Sequence, residues 1–333
     1  MCLSSVALAS IIPSSFDQKE AKQLLDPHGR RIRKLRVSLL DACNFRCFYC
    51  MPEKIRFSSL RNALKIEELT GICSALVAAG ITQIRLTGGE PTLRPDFQEV
   101  VKSLSQLPIE KLGLTSNGFL LEQHLAFLKL MGCHYLNISL DSLSEENFNR
   151  MTRSKGFSNV LSSVLKAREL GFSLKLNTVV MRNENDHEIL DFVRFSEETG
   201  IEIRFLELMK IGQACQYQSD AFVSAEEMLD RIQAQIALQP VQVDRDSTAF
   251  SFHTARGGRI GFIASESRPF CGSCSRLRLS HDGQLRACLM LNRGESLRNL
   301  DPAGLEQATQ QVLAMKPITR LDSISQDMYR IGG

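Results

Sequence analysis

The chain has 333 residues, 43% of them apolar and 23% charged, with a net charge of +3. That balance predicts one well-packed globule of one large or two ordinary domains. So small a charge speaks against a nucleic-acid coat while leaving room for a local basic pocket, and no apolar run is long enough to cross a bilayer.

Met1 to Ser15 is small, apolar and Ser-rich, with no Lys or Arg. A secretory signal would carry a positive n-region, and a transit peptide would be rich in Arg. Residues 1–30 therefore read as a loosely ordered extension on a cytoplasmic protein, with an organelle address left open. Strands and helices then alternate. Leu35–Leu40 is a strand and Ile66–Ala79 a helix, with Ile66, Leu69, Cys73, Leu76 and Val77 on one face. Gly80 ends that helix. Ile84–Thr87, Lys111–Thr115, Tyr135–Leu140, Ser173–Val180 and Glu202–Leu208 are further strands. Helices from about Asp96 to Ser105, to Met131, from Asn159 to Leu170 and from Asp186 to Thr199 separate them. Six strand–helix units imply parallel pairing through right-handed crossovers. The expected fold class is α/β, a partial TIM-type (β/α)6 barrel over residues 31–210. Alternation fades after Leu208. Residues 211–333 read as a smaller α+β region, with a loop at 211–224, a helix at 225–237 and a hairpin of Phe250–Thr254 with Arg259–Ile263.

Six of the ten cysteines form two tight triplets, Cys43, Cys47, Cys50 and Cys271, Cys274, Cys288. In a chain this long without a secretory signal, such triplets predict metal and a reducing compartment. Cys2, Cys73, Cys133 and Cys215 stand alone and read as ordinary thiols. Three thiolates can hold three irons of a 4Fe–4S cluster and leave one iron open. A zinc knot needs a fourth ligand. The first triplet has no Cys or His nearby to provide one. At the second, His253 or His281 could, so zinc stays open there. Arg36, Arg85 and Lys175 lie in strands expected to line the barrel, where a charge is costly unless something anionic meets it. Arg276 and Arg278 alternate along a strand and so share a side. No P-loop or Rossmann glycine motif is present.

The C-x3-C-x2-C spacing with Tyr49 before the last Cys, together with Gly88-Gly89-Glu90-Pro91 after a strand, resembles the radical S-adenosylmethionine (SAM) superfamily. The second triplet, the run Phe270-Cys271-x2-Cys274-x-Arg276-Leu277-Arg278-Leu279, the segments 88–94, 139–142, 176–180 and 204–209, and the terminal Ile331-Gly332-Gly333 are similar to the GTP 3′,8-cyclase family. The likeness spans about residues 32–333.

That resemblance implies a lyase of molybdenum cofactor biosynthesis. The first cluster would reduce SAM, giving methionine and a 5′-deoxyadenosyl radical that takes the 3′ hydrogen of GTP. C3′ would then close on C8 of guanine to give (8S)-3′,8-cyclo-7,8-dihydro-GTP. Cys43, Cys47 and Cys50 would hold the first 4Fe–4S cluster. Cys271, Cys274 and Cys288 would hold the second, whose open iron anchors guanine. Tyr49, Gly89, Ser139 and Met209 would contact SAM. Arg36, Arg85, Thr115, Lys175, Arg276, Leu277 and Arg278 would contact GTP. Arg276 and Arg278, with the Gly332-Gly333 tail in the active site, would serve catalysis. Implied partners are a flavodoxin- or ferredoxin-like electron donor and a cyclic pyranopterin monophosphate synthase that takes the product, with neither nucleic acid nor membrane. The chain would act as a monomer or homodimer. Ser116 and Ser275 depart from the family's Thr and Asn. Two rival readings are a radical SAM enzyme acting on a peptide and a zinc-stabilised interaction module. GTP-dependent 5′-deoxyadenosine formation and iron analysis would separate them.

Overall fold

The computed structural model describes residues 23–331. In chain order the strands are β1 (Leu24–Leu25), β2 (Arg31–Ile32), β3 (Lys34–Ser38), β4 (Gln83–Thr87), β5 (Lys111–Ser116), β6 (Tyr135–Ser139), β7 (Ser173–Val180), β8 (Glu202–Glu207), β9 (Leu238–Val241), β10 (Phe250–Thr254), β11 (Arg259–Ile263), β12 (Arg276–Leu279), β13 (Gln284–Arg286) and β14 (Glu295–Ser296). The helices are α1 (Ile66–Ala78), α2 (Phe97–Ser105), α3 (Leu125–Leu130), α4 (Glu145–Thr152), α5 (Phe157–Glu169), α6 (Ile189–Thr199), α7 (Gln218–Ala221), α8 (Ala225–Gln233), α9 (Pro302–Ala314) and α10 (Met328–Ile331).

Strands β3 to β8 run parallel in sequence order, as the alternation requires. Each strand turns alternate residues outward onto the helices. Along β7, Leu174, Leu176, Thr178 and Val180 are buried there, while Lys175, Asn177 and Val179 face the lumen. The outward faces build one hydrophobic core that includes Phe97, Phe192, Phe205 and Phe262.

The C-terminal third is not separate from this sheet. Strand β11 pairs in parallel with β8, and β12 in parallel with β3. Both edges of the six-strand unit are thereby extended into one twelve-stranded sheet, ordered β14-β13-β12-β3-β4-β5-β6-β7-β8-β11-β10-β9. The 242–249 loop crosses the seam. Asp246 takes ion pairs from Arg33 and Lys34 at one edge and accepts a hydrogen bond from Ser275. A boundary at residue 210 thus marks a change of connectivity inside a continuous sheet.

Residues 1–22 of the expected extension lie outside the described residues. The boundary drawn at residue 30 falls within a β1–β2 hairpin. Asp26 accepts from the Arg30 side chain at 2.5 Å, and both are buried, so residues 23–30 are fixed rather than loose. The 211–224 segment, read as a loop, contains α7. The helix expected over 225–237 ends at Gln233 and is followed by β9. Among the described residues, no helix is long and apolar enough to cross a membrane.

Candidate functional site

The barrel lumen holds a cavity of about 340 Å³, within the range of small-molecule sites. All six triplet cysteines line it, as do Tyr49, Gly89, Thr115, Ser139, Met209, Arg36, Arg276 and Arg278. A second cavity of about 450 Å³ shares Arg36, Asn137, Arg204, Thr248 and Arg276 with the first. It adds Lys34, Arg85, Lys111, Lys175 and Arg259 at the opposite end of the barrel.

The first triplet sits on the loop after β3. Phe45 anchors this loop, meeting Phe119 and Phe148 edge to face at 5.9 and 5.7 Å. The end of α4 cradles the loop: Thr152 O accepts from Arg46 N and Met151 O from Phe48 N. Gly88 and Gly89 continue the β3–β4 pairing along it, with Gly89 N donating to Leu40 O at 2.8 Å. A Cβ on Gly89 would lie 2.2 Å from Ala42 O. The glycines are thus required by the neighbouring backbone as well as by any ligand. Glu90 is fully buried and points away from the lumen's needs. Its carboxylate accepts from Thr92 N and Oγ1, Ser116 Oγ and Asn117 N. Ser116 therefore does what a threonine hydroxyl would do there. Asn117 in turn reaches Cys43 Sγ at 3.7 Å.

Tyr49 donates its hydroxyl to Asp141 Oδ2 at 2.6 Å, so it offers a ligand its ring or backbone. Burial pushes Asp141 up to about 6, against the bonds from Tyr49 and Val179. Burial also raises the first triplet's thiols, Cys43 to about 11 and Cys50 to about 12, with Glu90 adding at Cys43 and Cys43 itself at Cys50. Cys274 behaves differently. Burial opposes ionisation, but Arg276 and Lys316 outweigh it and bring the thiol down to about 6. One thiolate of the second triplet is therefore ready for metal, whereas the first triplet must release protons to bind it.

Register explains the cations. Arg278, Arg36 and Arg85 pair laterally across β12, β3 and β4, so three guanidinium groups share one row. Burial lowers Arg36 well below its usual range, with repulsion from Arg278, Arg276 and Arg85 added. Arg85 and Arg278 fall to about 10, chiefly through burial. Arg85 donates to Leu114 O at 3.0 Å. The next position in its row is Gly113, where a Cβ would lie 3.1 Å from the guanidinium. Arg36 makes no hydrogen bond or ion pair with a described residue. Lys175, by contrast, already has a counter-ion: Glu202 lies 2.9 Å away and also meets Arg204. Leu277 turns its side chain out of the lumen into the core, leaving only backbone for a ligand.

Among the described residues, no three His, Cys, Asp or Glu side chains come together tightly enough for a single metal ion. His253 is exposed on β10, beyond β11 at the far side of the sheet, and His281 follows the end of β12 opposite Cys274. Neither completes a zinc site. A four-iron cube spreads its thiolates wider than a zinc does, and three thiols with no fourth donor among the described residues suit a cube with one open iron. Thr115 Oγ1, Asn177 Oδ1 and Ser265 Oγ are buried against the lumen without partners among the described residues. Such atoms fit a polar ligand. Asn177 and Ser265 were not among the expected contacts. Asn177 was signalled by its lumen-facing place between Lys175 and Val179, Ser265 by nothing in its sequence surroundings.

The tail is seated at the same rim. Ile324 bridges to Ile211, Asp327 accepts from Gln213 N, and Tyr329 packs edge to face on Phe57 at 5.9 Å. Ile331 is buried, while Gly332 and Gly333 lie outside the described residues.

Fold and site together define a radical SAM enzyme. Residues 37–196 match the Radical SAM superfamily model and residues 201–320 the Molybdenum Cofactor Synthesis C model. SuiB of Streptococcus suis, solved with its precursor peptide SuiA, shares the fold at TM-score 0.64 and 14% identity, over 86% of this chain and 67% of that one. The GTP 3′,8-cyclase of Synechocystis sp. is 48% identical over 94% of this chain and 96% of its own length. That of Aquifex aeolicus is 37% identical over 83% and 88%. The chain belongs to the GTP 3′,8-cyclase family.

Proposed function

We propose that this chain cyclises GTP to (8S)-3′,8-cyclo-7,8-dihydroguanosine 5′-triphosphate, with SAM consumed to methionine and 5′-deoxyadenosine, as the first step of molybdenum cofactor biosynthesis. The observation that carries this reading is the row of Arg278, Arg36 and Arg85, in which Arg278 and Arg36 line the cavity bounded by two cysteine triplets and Arg85 lines the adjoining one. Arg36 and Arg85 are half-buried and Arg278 is buried, and their mutual repulsion is relieved by an anion among them. A triphosphate has that charge and the fork-matching oxygens.

Cys43, Cys47 and Cys50 hold one 4Fe–4S cluster, and Cys271, Cys274 and Cys288 the other. When bound, the clusters and SAM supply the electron and the hydrogen-abstracting group that the protein lacks. The chain supplies position and exclusion of water. Gly89, Ser139, Met209 and the Tyr49 backbone border the SAM end. Thr115, Arg36, Arg85 and the Arg276–Arg278 strand hold GTP, and Lys175, its charge shared with Glu202, joins them from the lining of the larger cavity. Asn177 lies beside Ser139 in register and adds an acceptor there. The ammonium and guanidinium groups around the larger cavity take the triphosphate, which leaves the purine facing the second triplet. Gly332 and Gly333 serve catalysis at the end of a segment that Ile324 and Tyr329 seat at the rim.

Residues 31–210 form the catalytic barrel and 211–333 the region that carries the second cluster. A one-electron donor of flavodoxin or ferredoxin type reduces the first cluster, and cyclic pyranopterin monophosphate synthase receives the product. The six cluster cysteines need a reducing compartment such as the cytoplasm. The test is an anaerobic assay of the reduced holoenzyme with SAM and GTP, and mass analysis of the product. GTP-dependent 5′-deoxyadenosine together with an isomer of GTP's mass is the expected result. Deoxyadenosine formation indifferent to GTP, or stimulated instead by peptides, would sink the reading.

A further inference from the structure

Lys316 follows α9 and is only 3% exposed, yet among the described residues it meets no carboxylate. Its ammonium donates to Arg276 O at 2.6 Å and to Ala287 O at 2.8 Å, and it lies 3.6 Å from Cys274 Sγ. Those acceptors use all three of its N–H groups. They also belong to different segments: Arg276 lies two residues past Cys274, and Ala287 immediately precedes Cys288. One side chain therefore ties together the two segments that carry these cysteines, beside the β12–β13 pair.

The lysine is itself held in place. Arg30 donates to Cys271 O at 2.5 Å, Pro317 O at 2.9 Å and Lys316 O at 3.3 Å, and its other face is fixed by Asp26. The N-terminal hairpin, the Cys271 turn and the segment after α9 thus form one braced unit. A buried ammonium without a counter-ion is costly. The group placed to supply the negative charge is the Cys274 sulfur.

We propose that Lys316 is the counter-charge and strap of the C-terminal cluster, a positioning residue that raises the cluster's reduction potential and holds its ligand loops in register. This rests on the two-cluster reading above. A fixed cation and hydrogen bonds at a ligating sulfur favour the more negative, reduced cluster. A residue that merely satisfied two carbonyls would leave the potential unchanged once the fold was intact.

The test uses the full chain carrying Cys43→Ala, Cys47→Ala and Cys50→Ala, so that the C-terminal cluster reports alone, with Lys316→Met and Lys316→Gln added separately. Iron content, circular dichroism and an EPR-monitored redox titration are the readouts. Lys316→Met is expected to lower the ratio of reduced to oxidised cluster at fixed ambient potential at least tenfold, which is about 59 mV for one electron. Lys316→Gln, which keeps a donor but not the charge, is expected to shift it the same way by less. A Lys316→Met cluster with full iron and a ratio within twofold of the reference overturns the proposal. If Lys316→Met loses its iron, Lys316→Gln decides: a lowered ratio supports the proposal and an unchanged ratio overturns it. Loss of iron from both variants with native circular dichroism supports the strap, whereas loss of native circular dichroism in both overturns it in favour of a general folding role. A reference chain that binds no iron at Cys271, Cys274 and Cys288 would instead refute the cluster assignment, not the lysine's part in it.

Discussion

Replacing Arg36 with Met should make the ligand-free protein more stable and its grip on GTP weaker. Arg36 sits between Arg278 and Arg85 and has no partner among the described residues. Its remaining exposure is to the lumen. Burial lowers Arg36 well below its usual range, with repulsion from Arg278, Arg276 and Arg85 added. Replacing buried charges with apolar residues of similar volume can stabilise by about 1–4 kcal/mol. Arg36 keeps some exposure to the lumen, so methionine at 36 should add about 1–2 kcal/mol, the lower part of that range, or a few degrees in midpoint temperature. The same change removes a charge-assisted bond to a phosphate, about 1.5–3 kcal/mol, and should weaken GTP binding about 10- to 100-fold. Calorimetric titration of anaerobic holoenzyme with GTP, and thermal unfolding without it, measure the two halves. Guanosine serves as control, because the loss should be much smaller without the triphosphate. A variant that is destabilised, yet binds GTP as the parent does, would show that Arg36 is a structural cation and refute the reasoning.

Gly89→Ala should cost the N-terminal cluster and spare the other, because the new Cβ would lie 2.2 Å from Ala42 O. Iron per chain should fall by about half, and full iron would refute the close approach. Thr115→Val removes a buried hydroxyl with no partner among the described residues. It should leave the ligand-free protein as stable or about 1 kcal/mol more so, and weaken GTP about tenfold; unchanged affinity in titration would remove Thr115 from the site. Asp141 has its folded value, about 6, above the unfolded value of 3.8. Its contribution is therefore favourable below about pH 4 and is lost as pH rises to about 6, a span worth about 3 kcal/mol. In urea unfolding of ligand-free protein, Asp141→Asn should gain on the parent across that window and then run parallel to it. A stability difference independent of pH would count against the buried carboxylate.

The barrel strands could be read from sequence because each carries a short apolar run closed by a glycine or polar turn. Ser173–Val180 and the Phe250–Thr254 hairpin arm have the bounds that alternation suggested. Helix α4 was missed. It is polar overall, and its signals are the Ser144 cap, two acidic residues in the first turn and the buried pair Phe148 and Thr152. Strand β9 was not anticipated: Pro240 argues against a strand, yet β9 lies at the sheet's edge, where a missing N–H is tolerated. The cysteines, arginines and glycines of the lumen were legible because few other contexts tolerate them. Partners that depend on tertiary contact were not. Glu202 neutralising Lys175, Asp246 receiving Ser275 and Lys316 beside Cys274 join residues far apart in the chain, and no local pattern announces them.

The pairing of Leu35 with Leu277 has a consequence for biosynthesis. While the ribosome extends the chain, β3 can find β4 early, but its other edge stays unsatisfied until β12 emerges near the end of translation. During that interval the Cys43–Cys50 loop hangs from a strand with one open flank. Until those final segments arrive, the nascent protein keeps an unpaired strand edge beside the cysteine loop, and β12 closes that flank.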